Sequence, residues 1–179
     1  MIERRLFTDE ITERDFETTA ATIFNMNKKY FISVSLMTFA IPIAGFFIEH
    51  FSQNTALTFE LFGKWFIFSA VGLRLFVAGT QQSVKPQFTA KEIFHIDNSE
   101  SFPIVRELGF ANICFGLVGI ISLFKPEWRI VSAFASGLYY AFAVLLHIIK
   151  KPVSHNETFA LWTDLLIFGI LLAYCCITI

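Results

Sequence analysis

Apolar residues along this chain fall into five long blocks separated by short polar connections, and the blocks rather than any periodic face dominate the pattern. Residues 30–48, 59–79, 103–124, 128–149 and 159–179 each come near the roughly 20 residues that an α-helix needs to cross about 30 Å of hydrocarbon. The pattern predicts an all-α membrane protein, a five-transmembrane-helix bundle over residues 30–179. Start signals stand at several predicted boundaries: Thr58 before the second span, Pro103 opening the third, Pro126 before the fourth and Asn156 before the fifth. Ahead of the spans, residues 1–29 are polar and mixed in charge. Phe16, Ala20, Ile23 and Phe24 share one face at helical spacing there, which predicts an amphipathic helix lying on the membrane or on the loops. The segment has neither a clean basic start nor a small-residue cleavage site, so it is expected to stay on the mature protein.

The connection after the second span carries a shorter pattern. Thr89 and Glu92 have capping-box spacing, and Phe88 and Ile93 stand where a hydrophobic staple would close. A short loop helix after Pro86 follows, placed to cover the mouth of the bundle or to pack at the interface. Lysines and arginines set the orientation. The leader has Arg4, Arg5, Arg14, Lys28 and Lys29; the first connection has none; the second has Lys85 and Lys91, the third Lys125 and the fourth Lys150 and Lys151. This alternation predicts a cytoplasmic amino terminus, a cytoplasmic loop helix and an external carboxyl terminus, with Arg129 at the outer end of the fourth span as a minor exception.

Composition agrees with the blocks. The chain of 179 residues is 55% hydrophobic, only 16% charged, and has a mean hydropathy of +0.59. A net charge of -1 gives no electrostatic footprint for a polyanion, so nucleic acid is excluded as a partner and the lipid bilayer is the expected one. Cys114, Cys175 and Cys176 lie inside apolar spans without a Cys-x-x-Cys pair and read as small core residues. His95, His147 and His155 lack metal-ligand spacing, so no metal site is expected and no cofactor is implied. Asn156-Glu157-Thr158 matches a glycosylation acceptor but falls on the predicted cytoplasmic side.

Candidate chemistry comes from polar residues inside the spans, where an ionisable group is expensive and marks function by default. Arg74 and Gln81 end the second span, Glu107 and Asn112 lie in the third, His147 closes the fourth, and Asp164 lies about two turns into the fifth. All six share the predicted cytoplasmic half of the bundle, and the outer half reads as almost purely apolar. Ala70, Arg74, Val77 and Gln81 form one stripe, Ser132, Ser136, Tyr140, Ala143 and His147 a second, and Ala160, Asp164, Phe168 and Cys175 a third. Glu107 and Asn112, five residues apart and so about 140° around the helix, cannot both face one centre. Arg74 paired with Asp164 or Glu107 would satisfy both charges, and His147 beside a carboxylate would titrate near neutral pH. Gly109, Gly116 and Gly119 in the third span predict close helix approach.

Several of these residues also carry a resemblance. Gly79-Thr80-Gln81-Gln82, Phe88-Thr89-Ala90 with Glu92-Ile93, Pro103, Glu107-Leu108-Gly109-Phe110-Ala111-Asn112, Phe115-Gly116, Gly119, His147, Asn156 and Asp164 resemble a family of small bacterial membrane proteins known as a domain of unknown function. The Glu-x-Gly-Phe-Ala-Asn core is its most specific part. Relatives usually continue the loop motif with Ile-Gly-Trp, where this chain has Ile93-Phe94-His95. The resemblance implies a bacterial inner membrane and the grouping of Glu107, Asn112, His147 and Asp164, and supplies no reaction. Three expectations follow. The first is a binding or transport protein, homo-oligomeric, for a small or lipid-like ligand at the polar cluster. The others are a membrane-embedded enzyme with Glu107 or Asp164 and His147 as acid and base, and an assembly subunit without a ligand.

Overall fold

The computed structural model describes residues 27–94 and 96–178, and the amphipathic helix expected near Phe16 lies outside them. Five helices are long and apolar enough to cross a membrane: α1 Lys28–Gln53, α2 Phe59–Val84, α3 Ser99–Ile121, α4 Glu127–Lys150 and α5 His155–Thr178. Each extends beyond the apolar block that predicts it at one end or both, because capping residues lengthen a helix past its hydrophobic stretch. Asn27 caps α1 by accepting from the Lys29 and Tyr30 amides, and Thr58 caps α2 by accepting from the Leu61 amide. At α5 the cap is Ser154 rather than Asn156: Ser154 Oγ accepts from the Glu157 amide, and Glu157 reaches back to the Ser154 and Val153 amides. That is a capping box at Ser-x-x-Glu spacing, and it starts the helix at His155, several residues before the apolar block. Asn54, left-handed at φ 54°, stops α1.

α2 is the central helix, with 56% of its apolar window buried inside the protein against 22% for α1. Its contact with α3 is a glycine seam. A methyl group added at Gly116 would sit 2.5 Å from the Phe76 backbone nitrogen, at Gly119 2.7 Å from Gly72 Cα, and at Gly79 2.5 Å from the Gly109 carbonyl oxygen. This backbone-to-backbone approach supplies close dispersion contact that holds α2 to α3. On its other side α2 contributes Ile67, Val71 and Leu75 to a core with Ala133 and Tyr140 of α4 and Ile167, Leu171 and Tyr174 of α5. Cys175 joins that core, whereas Cys114 and Cys176 are exposed on the outside of the bundle and are not core residues. α1 leans on α2 through Trp65 against Gly45, and on α5 through Phe31 and Phe159, whose rings lie 4.8 Å apart.

Three turns are π-helical, at Leu36–Ala40, Ile67–Leu73 and Thr89–Ile93. The first has a local cause: Pro42 has no amide hydrogen and its ring collides with the carbonyl four residues back in a regular helix, so the preceding turn widens. Side chains take up carbonyls in two of these turns, which keeps the freed backbone groups of a widened turn satisfied. Ser69 Oγ donates to the Met37 carbonyl at 2.7 Å, and the Tyr140 hydroxyl donates to the Ala70 carbonyl at 3.1 Å.

The loop helix exists but starts otherwise than the capping-box spacing predicts. Helical geometry begins at Pro86 and runs through residues 86–93, so Thr89 stands mid-helix in the right-handed region, buried, and is no cap. Pro86, with φ preset and no amide to satisfy, is the better initiator. The half of the bundle remote from the loop helix, which the sequence reads as almost purely apolar, is less so. Glu49, placed by hydropathy in a connection, lies within α1, buried, and accepts from Lys64 Nζ at 2.6 Å and from Trp65 Nε1 at 2.8 Å. Arg129 is buried at the same end, donates to the Ser122 carbonyl and approaches Glu60 at 3.6 Å.

Candidate functional site

At the end of the bundle that carries the loop helix, a cavity of about 730 Å³ opens between the helices. α1 contributes Tyr30 and Val34, α2 Arg74 and Gln81, α3 Asn112, α4 Tyr139, Tyr140 and His147, α5 Asp164, and the loop helix Phe88 and Thr89. Phe94 closes the same side, with Lys150 Nζ 5.9 Å from its ring centre. The loop segment therefore forms a wall of the cavity, which is the mouth-covering alternative of the two that the sequence leaves open. The volume lies within the range of ligand pockets, and the walls are largely aromatic and aliphatic.

The deep end is polar. Arg74 follows the π-helical turn Ile67–Leu73 and is 8% exposed; Asp164 is 7% exposed. Arg74 Nη2 donates to Asp164 Oδ1 at 2.6 Å and to Thr163 Oγ1 at 3.1 Å, and the guanidinium lies 5.5 Å from the centre of the Tyr140 ring. Thr163 Oγ1 spends its hydrogen on the carbonyls of Phe159 and Ala160, which turns its lone pairs toward Arg74. The charges thus cancel within one buried pair, while Arg74 Nη1 makes no hydrogen bond of good geometry among the described residues, with the Tyr30 hydroxyl beside the guanidinium. Nearby, Asn112 Nδ2 donates to Gln82 Oε1 at 2.7 Å and Asn112 Oδ1 is left over, with the Tyr139 hydroxyl beside it outside hydrogen-bond geometry.

Of the six residues that the sequence marks, five line this cavity: Arg74, Gln81, Asn112, His147 and Asp164. Glu107 does not. It is exposed on the outer face of α3 next to exposed Arg106, and Asn112 takes the inward face. The 140° offset between them permits only one inside, and the glycine seam decides which: Gly109 and Gly116 must face α2, and Asn112 lies between them on that side. Arg74 accordingly pairs with Asp164. Asp164 is bonded to Arg74 at 2.6 Å and, among the described residues, makes no hydrogen bond to His147. Among the described residues, no group of three His, Cys, Asp or Glu side chains converges as a metal site would need.

Sequence reasoning also passes over α1. Its amino end is tied to α5 where the Asn27 amide donates to Asn156 Oδ1 at 3.0 Å, so the asparagine of the glycosylation-like motif is a buried structural acceptor. This clamp brings Tyr30 over the cavity and completes its wall. Tyr140 and Thr163 were findable, since one lies in the small polar stripe of α4 and the other adjoins Asp164; no local signal marks Tyr30.

Residues 32–179 match a family described as a family of unknown function, DUF6790. The chain belongs to the DUF6790 family. The matched region takes in α1 from Ile32 onward, the other four long helices, and all the cavity residues except Asn27, Lys29 and Tyr30. No curated protein and no solved structure matches this DUF6790 chain.

Proposed function

We propose that this DUF6790 protein is an integral membrane protein that binds or carries a small, lipid-like molecule in the cavity between its five helices. The observation that supports this reading is the pairing of apolar aromatic walls with a buried polar floor that retains unmet hydrogen-bonding capacity at Arg74 and Asn112. Polar side chains serving only as glue between helices would satisfy one another, since an unmet buried donor costs about 1–3 kcal/mol. Gln81, His147 and Lys150 line the route from the helix ends to that floor. The site is in the cytoplasmic half of a bacterial inner membrane in this reading, because the connections richer in lysine and arginine lie at the cavity end.

The test is native mass spectrometry of protein purified in detergent, compared with Ala143→Phe. Ala143 lines the cavity without a polar role, so the larger ring fills the space and leaves the Arg74–Asp164 pair untouched. Co-purified lipid-like mass on the parent and its loss from a variant of unchanged melting temperature is the expected result. Equal retention by both would refute the cavity as the site. Orientation is tested separately: a cysteine at Ser52 should react with an impermeant reagent from outside intact cells and one at Lys85 should not, and reversed labelling would overturn the cytoplasmic placement.

A further inference from the structure

We infer that the head group received at the floor of this cavity is uncharged, and offers at least one acceptor and one donor, as a hydroxyl-bearing ester or an amide does. The inference rests on the cavity being a ligand site and names the class of ligand. It follows from charge balance at the floor. Arg74 is the cation there, and Asp164 neutralises it at 2.6 Å with both side chains about nine-tenths buried. A carboxylate or phosphate added to that pair would leave a net negative charge in a low-dielectric setting, with no further lysine or arginine at that depth among the described residues and with His147 one turn from the end of α4 as the remaining basic side chain near Asp164. Lys29 and Lys150 line the cavity from the helix ends rather than at its floor, and Arg106 is exposed on the outer face of α3.

What the floor lacks is neutral. Arg74 Nη1 is a buried donor and Asn112 Oδ1, of a residue 2% exposed, a buried acceptor, and neither makes a hydrogen bond of good geometry among the described residues; the Tyr30 hydroxyl beside Arg74 and the Tyr139 hydroxyl beside Asn112 add uncharged donor and acceptor capacity to the same floor. Both residues line the cavity. By the register of the α2–α3 seam, Asn112 stands level with Gly79, five residues from Arg74 and so about 7–8 Å along the helix axis. A head with two polar groups a few bonds apart can reach both. The aromatic walls then accept an acyl or alkyl chain.

Matched probes test this: monolauroylglycerol, which is neutral, against laurate at about pH 8, where the carboxylate is ionised, with the same chain and the same detergent. Retention of each on the purified protein is read by native mass spectrometry, in the parent, Asn112→Ala, Gln82→Met and Ala143→Phe. The expected result is monolauroylglycerol retained at least roughly tenfold better than laurate. That preference should fall in Asn112→Ala and persist in Gln82→Met, which breaks the Asn112–Gln82 bond but keeps the acceptor. Laurate retained as well as or better than the glyceride, or glyceride retention indifferent to Asn112→Ala, would overturn the uncharged head while leaving the cavity reading in place. Retention of either probe that is unchanged in Ala143→Phe, or retention of neither by the parent, would instead remove the cavity reading and the inference with it. The parent's selectivity decides the matter even where Asn112→Ala fails to fold.

Discussion

Replacing Arg74 by methionine keeps most of the side-chain length and removes its charge, and the structure dictates an unequal pair of consequences. Among the described residues Arg74 supplies the one hydrogen-bond donor to Asp164, so Arg74→Met leaves a buried carboxylate with nothing opposite. Breaking a buried pair in that way costs about 3–5 kcal/mol, with proton uptake by the aspartate setting the lower end. Asp164→Asn is milder, because Arg74 keeps Thr163 Oγ1 at 3.1 Å and the Tyr140 ring at 5.5 Å, and an amide oxygen still accepts from it; about 2 kcal/mol is expected. The double variant should recover part of the sum, giving a coupling of about 1–3 kcal/mol. For a chain of this size each kcal/mol moves the midpoint by about 2–4 °C, so Arg74→Met should melt about 6–20 °C below the parent. Tryptophan fluorescence during heating in detergent, at one fixed scan rate, reads this through Trp65, Trp128 and Trp162. Arg74→Met melting within about 2 °C of the parent, or a double variant equal to the sum of the singles, would refute the claim that this pair is buried and mutually dependent.

Other expectations follow from the same geometry. Gly116→Ala drives a methyl group against the Phe76 backbone and should cost about 1–3 kcal/mol or more, whereas Gly169→Ala, with nothing within 4 Å, should stay within about 0.5 kcal/mol; equal melting shifts would contradict the α2–α3 seam. Ser154→Ala should cost about 1 kcal/mol and Ser154→Asp little, since either oxygen caps α5; hydrogen exchange at residues 155–158 that is no faster in the alanine variant would exclude the cap. Glu107→Gln should leave melting within about 0.5 kcal/mol of the parent because Glu107 is exposed and outside the cavity, and a loss comparable to that of Arg74→Met would return Glu107 to the core.

The sequence by itself determined five spans, the seam glycines and most of the polar residues that the cavity collects. Each of these rests on one-dimensional physics: the cost of burying backbone in lipid sets span length, and helical periodicity aligns Arg74 with Gln81 and Ala160 with Asp164. Where local chemistry competed, the reading slipped, as when Pro86 rather than Thr89 started the loop helix and Ser154 rather than Asn156 capped α5. Only the tertiary structure decided which helix faces meet. Glu107 and Asn112 are equivalent to any count of polar residues in a span, and the close approach of α2 and α3 at Gly109 and Gly116 turns one outward and the other in. Glu49 reads as a residue of a connection until Lys64 and Trp65, fifteen and sixteen positions away, supply its partners. Tyr30 lies over the cavity because Asn27 bonds Asn156 across 129 residues of chain. A contact between residues so far apart leaves no periodic trace in either segment, since neither stretch changes its own helical preference to make it.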